Sequence, residues 1–176
     1  MRWTLKPKPD SKKLETLQKA LQVDEVLATL LLQRGVETYE DAKAFFRPSL
    51  DDLHDPYLMK DMDKAVARIE KAMAKKENIL VYGDYDVDGT TAVALMSSYL
   101  KSKYNLVYTY IPNRYDEGYG ISYKGINFAL ENNFTLIIAL DCGIKSVDKI
   151  EYAKEIGIDF IISSSSAVKT FPIVLT

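Results

Sequence analysis

From residue 79 onward the chain alternates short apolar runs with helical stretches: "ILVY", a helix over 89–103, "LVYTYI", a helix over 122–132, "TLIIAL", a helix over 146–156, then "DFIIS". The apolar runs are strand-length and rich in β-branched and aromatic residues, and strands that alternate with helices build βαβ units on a parallel sheet. Parallel neighbours need a crossover between them, and the intervening helices supply it. The predicted fold class is α/β, a parallel sheet with flanking helices.

Before residue 78 the pattern is helical throughout. "SKKLETLQKALQ" is followed by "DEVLATLLLQRG", with Asp24 as cap and Gly35 as stop, and then by "TYEDAKAFFRP", which opens on the capping-box spacing from Thr38 to Asp41. After the loop "SLDDLHDPYLMK", Asp61 can cap a helix whose Met62, Ala65, Val66, Ile69, Ala72 and Met73 share one face. The expected organisation is a small helical lead-in over 1–76, an α/β domain over 77–163, and a tail over 164–176 that fits neither pattern.

The 176 residues suit one ordinary domain or a domain with an appendage, and 47% apolar residues suffice for a core. A net charge of −2 leaves no global basic field of the kind that marks a nucleic-acid binder, so any such contact must be local. Cys142 is the single cysteine, which excludes an internal disulfide and a cysteine-based zinc site. The start "MRWTLKPKPD" has no apolar signal region, and no stretch reaches the roughly 18 apolar residues of a membrane span. The expectation is a soluble protein of a reducing compartment, most simply cytoplasmic, with no membrane partner.

The first strand runs directly into "GDYDVDGTT", which places Asp84, Asp86 and Asp88 at every second position. On extended backbone three such carboxylates point the same way, and their repulsion calls for a cation or a reacting group. Ligand sites of open parallel sheets lie beyond the carboxyl ends of the strands. Three strand ends therefore matter: "GDYDVDG", "PNRYDEGYG" and "DCG", the last contributing Asp141. In the second, Arg114 can offer paired hydrogen bonds to a phosphate, Gly118 and Gly120 permit close backbone approach, and Tyr115 or Tyr119 could stack on a base. The competing reading is an ordinary turn with Arg114 in a surface ion pair. His54, in "DDLHDP", reads as a loop or cap residue, and Cys142 reads as packing because no second cysteine or nearby histidine activates it.

Two familiar patterns share these letters. "DYDVDGTTAVAL" begins like an EF-hand loop, but the twelfth position, where a bidentate Glu belongs, is Leu95. "YDVDGTT" resembles the haloacid-dehalogenase phosphatase motif, with Asp86 as nucleophile and Asp88 as acid. There the nucleophile directly follows a hydrophobic strand, whereas Gly83, Asp84 and Tyr85 intervene here.

The ordered set "LHDPYLMKDMDKAVARI", "GDYDVDGTTA", "PNRYDEGYG" and "LDCGI", with "LLLQRGVETYEDAKAFF" ahead of it, resembles the DHH phosphoesterase superfamily and, within it, the RecJ-type single-strand-specific exonucleases. The resemblance implies a DHH-type domain, present in part. It implies manganese or magnesium held by Asp86, Asp88 and Asp141, with Asp84 as a further ligand or outer partner, and the same aspartates as the catalytic set. Oxygen-rich sites suit these hard cations, and two of them together activate water and stabilise the leaving oxygen of a phosphodiester. It also favours Arg114, with Gly118 and Gly120, as the contact to single-stranded DNA.

After "DFIIS" the family places Asp-His-His, where this chain reads Ser164, Ser165 and Ser166. Neutral hydroxyls replace a carboxylate and two imidazoles poorly, and the later parts of the family, including a further metal-binding Asp, are not in the sequence. One reading is a frameshift or fragment boundary, since the histidine codons CAT CAT contain the serine codon TCA out of phase; the other is an inactive variant. The functional expectation is the amino-terminal part of a RecJ-like 5′-to-3′ exonuclease, inactive as given. The alternatives are a haloacid-dehalogenase-type phosphatase and a defective nucleic-acid-binding or interaction module.

Overall fold

The computed structural model describes residues 4–163 and 173–175. By its contacts the chain divides into two units, Met1–His54 and Asp55–Thr176, so the division falls upstream of the change in composition near residue 78.

The first unit is three helices, α1 (Ser11–Leu21), α2 (Glu25–Leu32) and α3 (Tyr39–Phe46). Each begins on a side chain that satisfies amides the helix cannot pair itself. Asp10 accepts from the amides of Lys12 and Lys13, Asp24 accepts from Leu27, and Thr38 and Asp41 form the predicted reciprocal box. Gly35 ends α2 at a φ of +82°, a left-handed conformation that glycine adopts without steric cost. Leu17, Ala28, Leu31, Val36 and Ala42 make the small core.

A short 3-10 turn over Leu50–Asp52 ends the first unit, and another over Pro56–Leu58 opens the second. It continues through α4 (Met62–Ala74), β1 (Asn78–Gly83), α5 (Val87–Lys101), β2 (Val107–Tyr110), α6 (Tyr123–Glu131), β3 (Phe134–Leu140), α7 (Val147–Glu155), β4 (Asp159–Ser163) and β5 (Ile173–Leu175). The sheet order is β2-β1-β3-β4-β5, with the first four strands parallel as predicted. β5 pairs antiparallel with β4, an element the sequence reading did not assign to the tail. Ser164, Ser165 and Ser166 lie outside the described residues.

Strand alternation explains the two layers. Ile79, Val81, Leu136, Ile138, Leu140 and Ile161 face α4 and α5, where Ala65, Ala72, Val93 and Leu100 cover them. Leu80, Tyr82, Ile137, Ala139, Phe160 and Ile162 face the other way, onto Ile126 and Ala129 of α6 and Ile150 and Ala153 of α7. Asp61 differs from expectation. It precedes α4 at a φ of 60° and makes no capping hydrogen bond, pairing instead with Lys64 at 2.5 Å.

α4 is fastened to the amino ends of three strands by one side chain. The Arg68 guanidinium donates to Asp159 at 2.6 Å, to Glu77 at 2.8 Å and to the Thr135 carbonyl at 3.3 Å, with only 13% of the side chain exposed. Burial alone would raise the Glu77 carboxyl, but hydrogen bonds from Thr135 and Arg68 outweigh it and hold it below its ordinary value. A carboxyl depressed in the folded state contributes stability above its unfolded pKa and loses that contribution as pH falls through the folded value. Arg68→Met, which leaves Asp159 without its cation and Glu77 with only the Thr135 hydroxyl, is expected to cost about 2–4 kcal/mol in urea unfolding at neutral pH. Acidification should then narrow the gap between wild type and Glu77→Gln, and a gap that stays constant to pH 3 would sink the linkage.

Candidate metal and phosphate site

The order of the sheet reverses at β1: β2 lies on one side of it and β3 on the other, with α5 and α6 on opposite faces. The crevice beyond the carboxyl ends of β1 and β3 is the switch point at which ligands of such sheets bind. Asp84 is the first residue after β1, and Asp141 the first after β3.

The backbone there is not the extended run that the alternating aspartates suggest. Asp86 is the N-cap of α5, accepting from the Gly89 amide at 2.9 Å, and Asp88 lies in the first turn of that helix, exposed. A capping carboxylate and an acidic first turn both complement the helix dipole, so part of the aspartate cluster has a local structural cause. Asp84 has none. It is fully buried; its Oδ1 accepts from the Tyr85 amide at 2.7 Å, and its Oδ2 has no hydrogen-bond partner. A buried carboxylate oxygen left unpaired costs several kcal/mol unless a cation or another donor reaches it.

Asp141 adopts a φ of 55°, and its amide donates to the Ser163 carbonyl at 2.8 Å, which ties the end of β3 to the end of β4. Cys142 next to it is buried, as packing requires. Burial pushes its thiol up to about 12, and the charges of Asp84, Asp141 and Asp86 push the same way. The Tyr119 hydroxyl donates to Asp86 Oδ2 at 3.3 Å, and the negative charges of Asp84 and then Asp86 raise it to about 12. Among the described residues no three acidic, histidine or cysteine side chains stand close enough to hold one ion by themselves. What they provide is carboxylate oxygens at one end of the sheet, one of them buried and unpaired, and oxygen donors are the kind that a hard cation takes.

α5 can approach this crevice only because of two glycines. A Cβ on Gly89 would lie 2.6 Å from the Asp84 carbonyl oxygen and 2.7 Å from its nitrogen, and one on Gly83 would collide with Val93. The first turn of the helix therefore rests directly on the backbone of Asp84.

The second strand end brings Arg114 to the same place. Its guanidinium lies over the Tyr85 ring at 4.5 Å from the centroid, Tyr85 meets Tyr119 edge-on at 5.7 Å, and among the described residues Arg114 makes no ion pair. Tyr115 is 92% exposed and takes no part. Gly118 and Gly120 adopt φ values of +79° and +81° with nothing within 4 Å of where a Cβ would stand, so their present need is backbone conformation and not close approach.

Sequence reasoning missed the residue that shapes this loop. Glu117 accepts from the Asn113 amide at 2.8 Å, the Tyr110 hydroxyl at 2.9 Å and the Ser122 hydroxyl at 2.5 Å. Burial pulls its carboxyl up, and these three donors more than compensate, keeping it below the ordinary range. Tyr82 supports the same loop from beneath, donating to the Gly120 carbonyl at 3.0 Å. Nothing in the string "PNRYDEGYGIS" distinguishes Glu117 from a solvated acid. Besides the Asn113 amide in the same loop, its partners come from β2 and the start of α6.

A doubly wound sheet with carboxylates at its switch point and an arginine loop beside them defines a class, and residues 78–163 match the DHH family, N-terminal domain. That segment is similar to the family, and the similarity to its RecJ members extends over most of the chain. Its similarity is to RecJ. It is 39% identical over 163 residues to the single-stranded-DNA-specific exonuclease RecJ of Bacillus subtilis, an alignment covering 93% of this chain and 21% of that protein. It is 29% identical over 167 residues to the RecJ of Thermus thermophilus, covering 93% and 23%. The crystal structure of Thermus thermophilus RecJ in complex with Mn2+ superposes with a TM-score of 0.69 at 26% identity, over 99% of this chain and 24% of that one. A crystal structure of exonuclease RecJ bound to manganese gives 0.58 at 32% identity, over 66% and 30%. The chain thus spans between a fifth and a quarter of the curated relatives it matches. No helix among the described residues is long and apolar enough to cross a membrane.

Proposed function

We propose that this chain is the amino-terminal part of a RecJ-like, 5′-to-3′ single-stranded-DNA exonuclease of the cytoplasm, with a helical lead-in over 1–76, part of the catalytic domain over 77–163 and a non-family tail over 164–176. The observation that carries the reading is Asp84, fully buried at the switch point with an unpaired oxygen. Manganese or magnesium would be held by Asp84, Asp86 and Asp141, with Asp88 at the rim, once these carboxylates draw together on the ion, and in this reading the same aspartates form the chain's share of the catalytic centre. When bound, such ions acidify water and neutralise charge on a phosphodiester. Arg114 meets the phosphate, presented by the loop whose turns need Gly118 and Gly120. Asp86 commits one oxygen to the Gly89 amide and the other to the Tyr119 hydroxyl, which suits a cap and ligand better than the nucleophile of a phosphatase.

The chain as given does not digest DNA, because Ser164, Ser165 and Ser166 stand where the family has Asp-His-His. A 3′-labelled single-stranded oligonucleotide incubated with the purified chain and manganese or magnesium should stay intact. Processive shortening that disappears in Asp88→Ala would show the centre to be complete. A phosphorylated Asp86 trapped by mass spectrometry after exposure to a small phosphate ester would replace this reading with the phosphatase one.

A further inference from the structure

An exposed arginine is a poor phosphate ligand until its long side chain is held still, since much of what it gains on binding is lost in ordering its rotamers. Arg114 is exposed, yet it is held from two sides. Its guanidinium rests on the Tyr85 ring at 4.5 Å, and its backbone belongs to the turn that Glu117 closes by accepting from the Asn113 amide at 2.8 Å. Tyr85 is itself fixed: its amide donates to buried Asp84, and its ring packs edge-on against Tyr119, whose hydroxyl reaches Asp86. A continuous set of contacts therefore runs from the carboxylates to the guanidinium.

We propose that Tyr85 is a positioning residue of the substrate site, whose ring holds the Arg114 guanidinium beside the aspartate crevice before a nucleic-acid phosphate arrives. The inference rests on Arg114 being a phosphate contact, as in the function proposed above. Tyr85 sits between Asp84 and Asp86 in the chain, so a single segment sets both the carboxylates and the cation that faces the substrate. Its aromatic face does the holding, because the hydroxyl makes no hydrogen bond among the described residues. Phenylalanine should therefore replace it and leucine should not.

The test is a binding cycle on the purified chain with a 5′-phosphorylated, fluorescently labelled oligodeoxythymidine in magnesium, using Tyr85→Leu, Tyr85→Phe, Arg114→Ala and the double variant Tyr85→Leu/Arg114→Ala. Arg114→Ala should weaken binding roughly tenfold. Tyr85→Leu should weaken it about three- to fivefold, and Tyr85→Phe should stay within about twofold of wild type. The double variant should bind no worse than Arg114→Ala alone, because a residue that acts only through Arg114 has nothing left to position. NMR of the free chain adds a readout independent of DNA: the Arg114 side-chain protons should be shifted upfield by the Tyr85 ring, and the shift should vanish in Tyr85→Leu with the melting temperature unchanged.

Arg114→Ala weakened and Tyr85→Leu unchanged would overturn the positioning role and leave the phosphate contact standing. Additive losses in the double variant would also overturn it, since Tyr85 would then touch DNA on its own account. A wild-type chain that does not bind the oligonucleotide, or an Arg114→Ala variant that binds like wild type, would remove the phosphate contact and the positioning role together.

Discussion

Gly89→Ala should destabilise the chain by about 2–3 kcal/mol and lower its melting temperature by roughly 5–10 °C. In an exposed helix the same substitution would stabilise by up to about 1 kcal/mol, because alanine is the better helix former. The sign reverses here because the new methyl would meet the Asp84 carbonyl oxygen at 2.6 Å and the Asp84 nitrogen at 2.7 Å, both main-chain atoms that no rotamer change can move aside. Relief requires α5 to lift off the end of β1. That displaces the Asp86 cap and the floor under Asp84 together, so the variant should also lose any stabilisation by manganese. Differential scanning calorimetry with and without the metal reads both effects, and a Gly89→Ala chain that melts at or above the wild-type temperature would show that the helix does not rest on Asp84.

Asp84→Asn should act with opposite signs in the absence and presence of metal. Without metal, wild type carries a buried carboxylate whose Oδ2 has no partner, and removing that charge should stabilise the fold by about 1–2 kcal/mol. With manganese, the wild-type chain gains RT ln(1 + [L]/Kd), about 2.7 kcal/mol at a hundred times the dissociation constant, and the variant should gain almost nothing. The two thermal curves should therefore cross in order as manganese is raised. Asp86→Asn/Asp141→Asn should likewise abolish the response. Wild-type melting that is indifferent to millimolar manganese would mean that these carboxylates bind no ion in this chain.

The layer plan was legible because it depends on periodicity alone. The near-unbroken burial of "ILVY" and "TLIIAL", as befits strands covered on both faces, and the spacing of Ala65, Ile69 and Ala72 in α4 each follow from one element's own pattern. So did the caps at Asp24 and Thr38, whose partners lie within three residues. What was misread lay where two local signals compete. Asp84, Asp86 and Asp88 alternate like strand residues, yet Asp86 also stands three residues before Gly89, and the capping bond prevailed because α5 starts at Val87 and not at residue 89. Asp61 shows the reverse, a residue of capping type and position that uses its carboxylate on Lys64. Of the candidate site, the strand ends were legible from the βα alternation. The ranking within it was not: burial singles out Asp84, which the sequence reading set behind Asp86 and Asp88 as a further ligand or outer partner. Glu117 and Tyr85 draw their roles in part from partners several or many residues away in the chain, Tyr110 for the one and Arg114 and Tyr119 for the other, and a one-dimensional string does not carry those pairings.

The Arg68 cluster lies at the amino ends of β1, β3 and β4, whereas the aspartates lie at the carboxyl ends of β1 and β3 and at the start of α5. The sheet keeps these two groups of charges at opposite poles with no shared side chain, so changes at one are felt only weakly at the other. A lineage that lost its chemistry would therefore keep its architecture: substitutions could erode the acidic pole while Arg68 went on joining α4 to three strands. In such a family, an intact fold is poor evidence of a working centre.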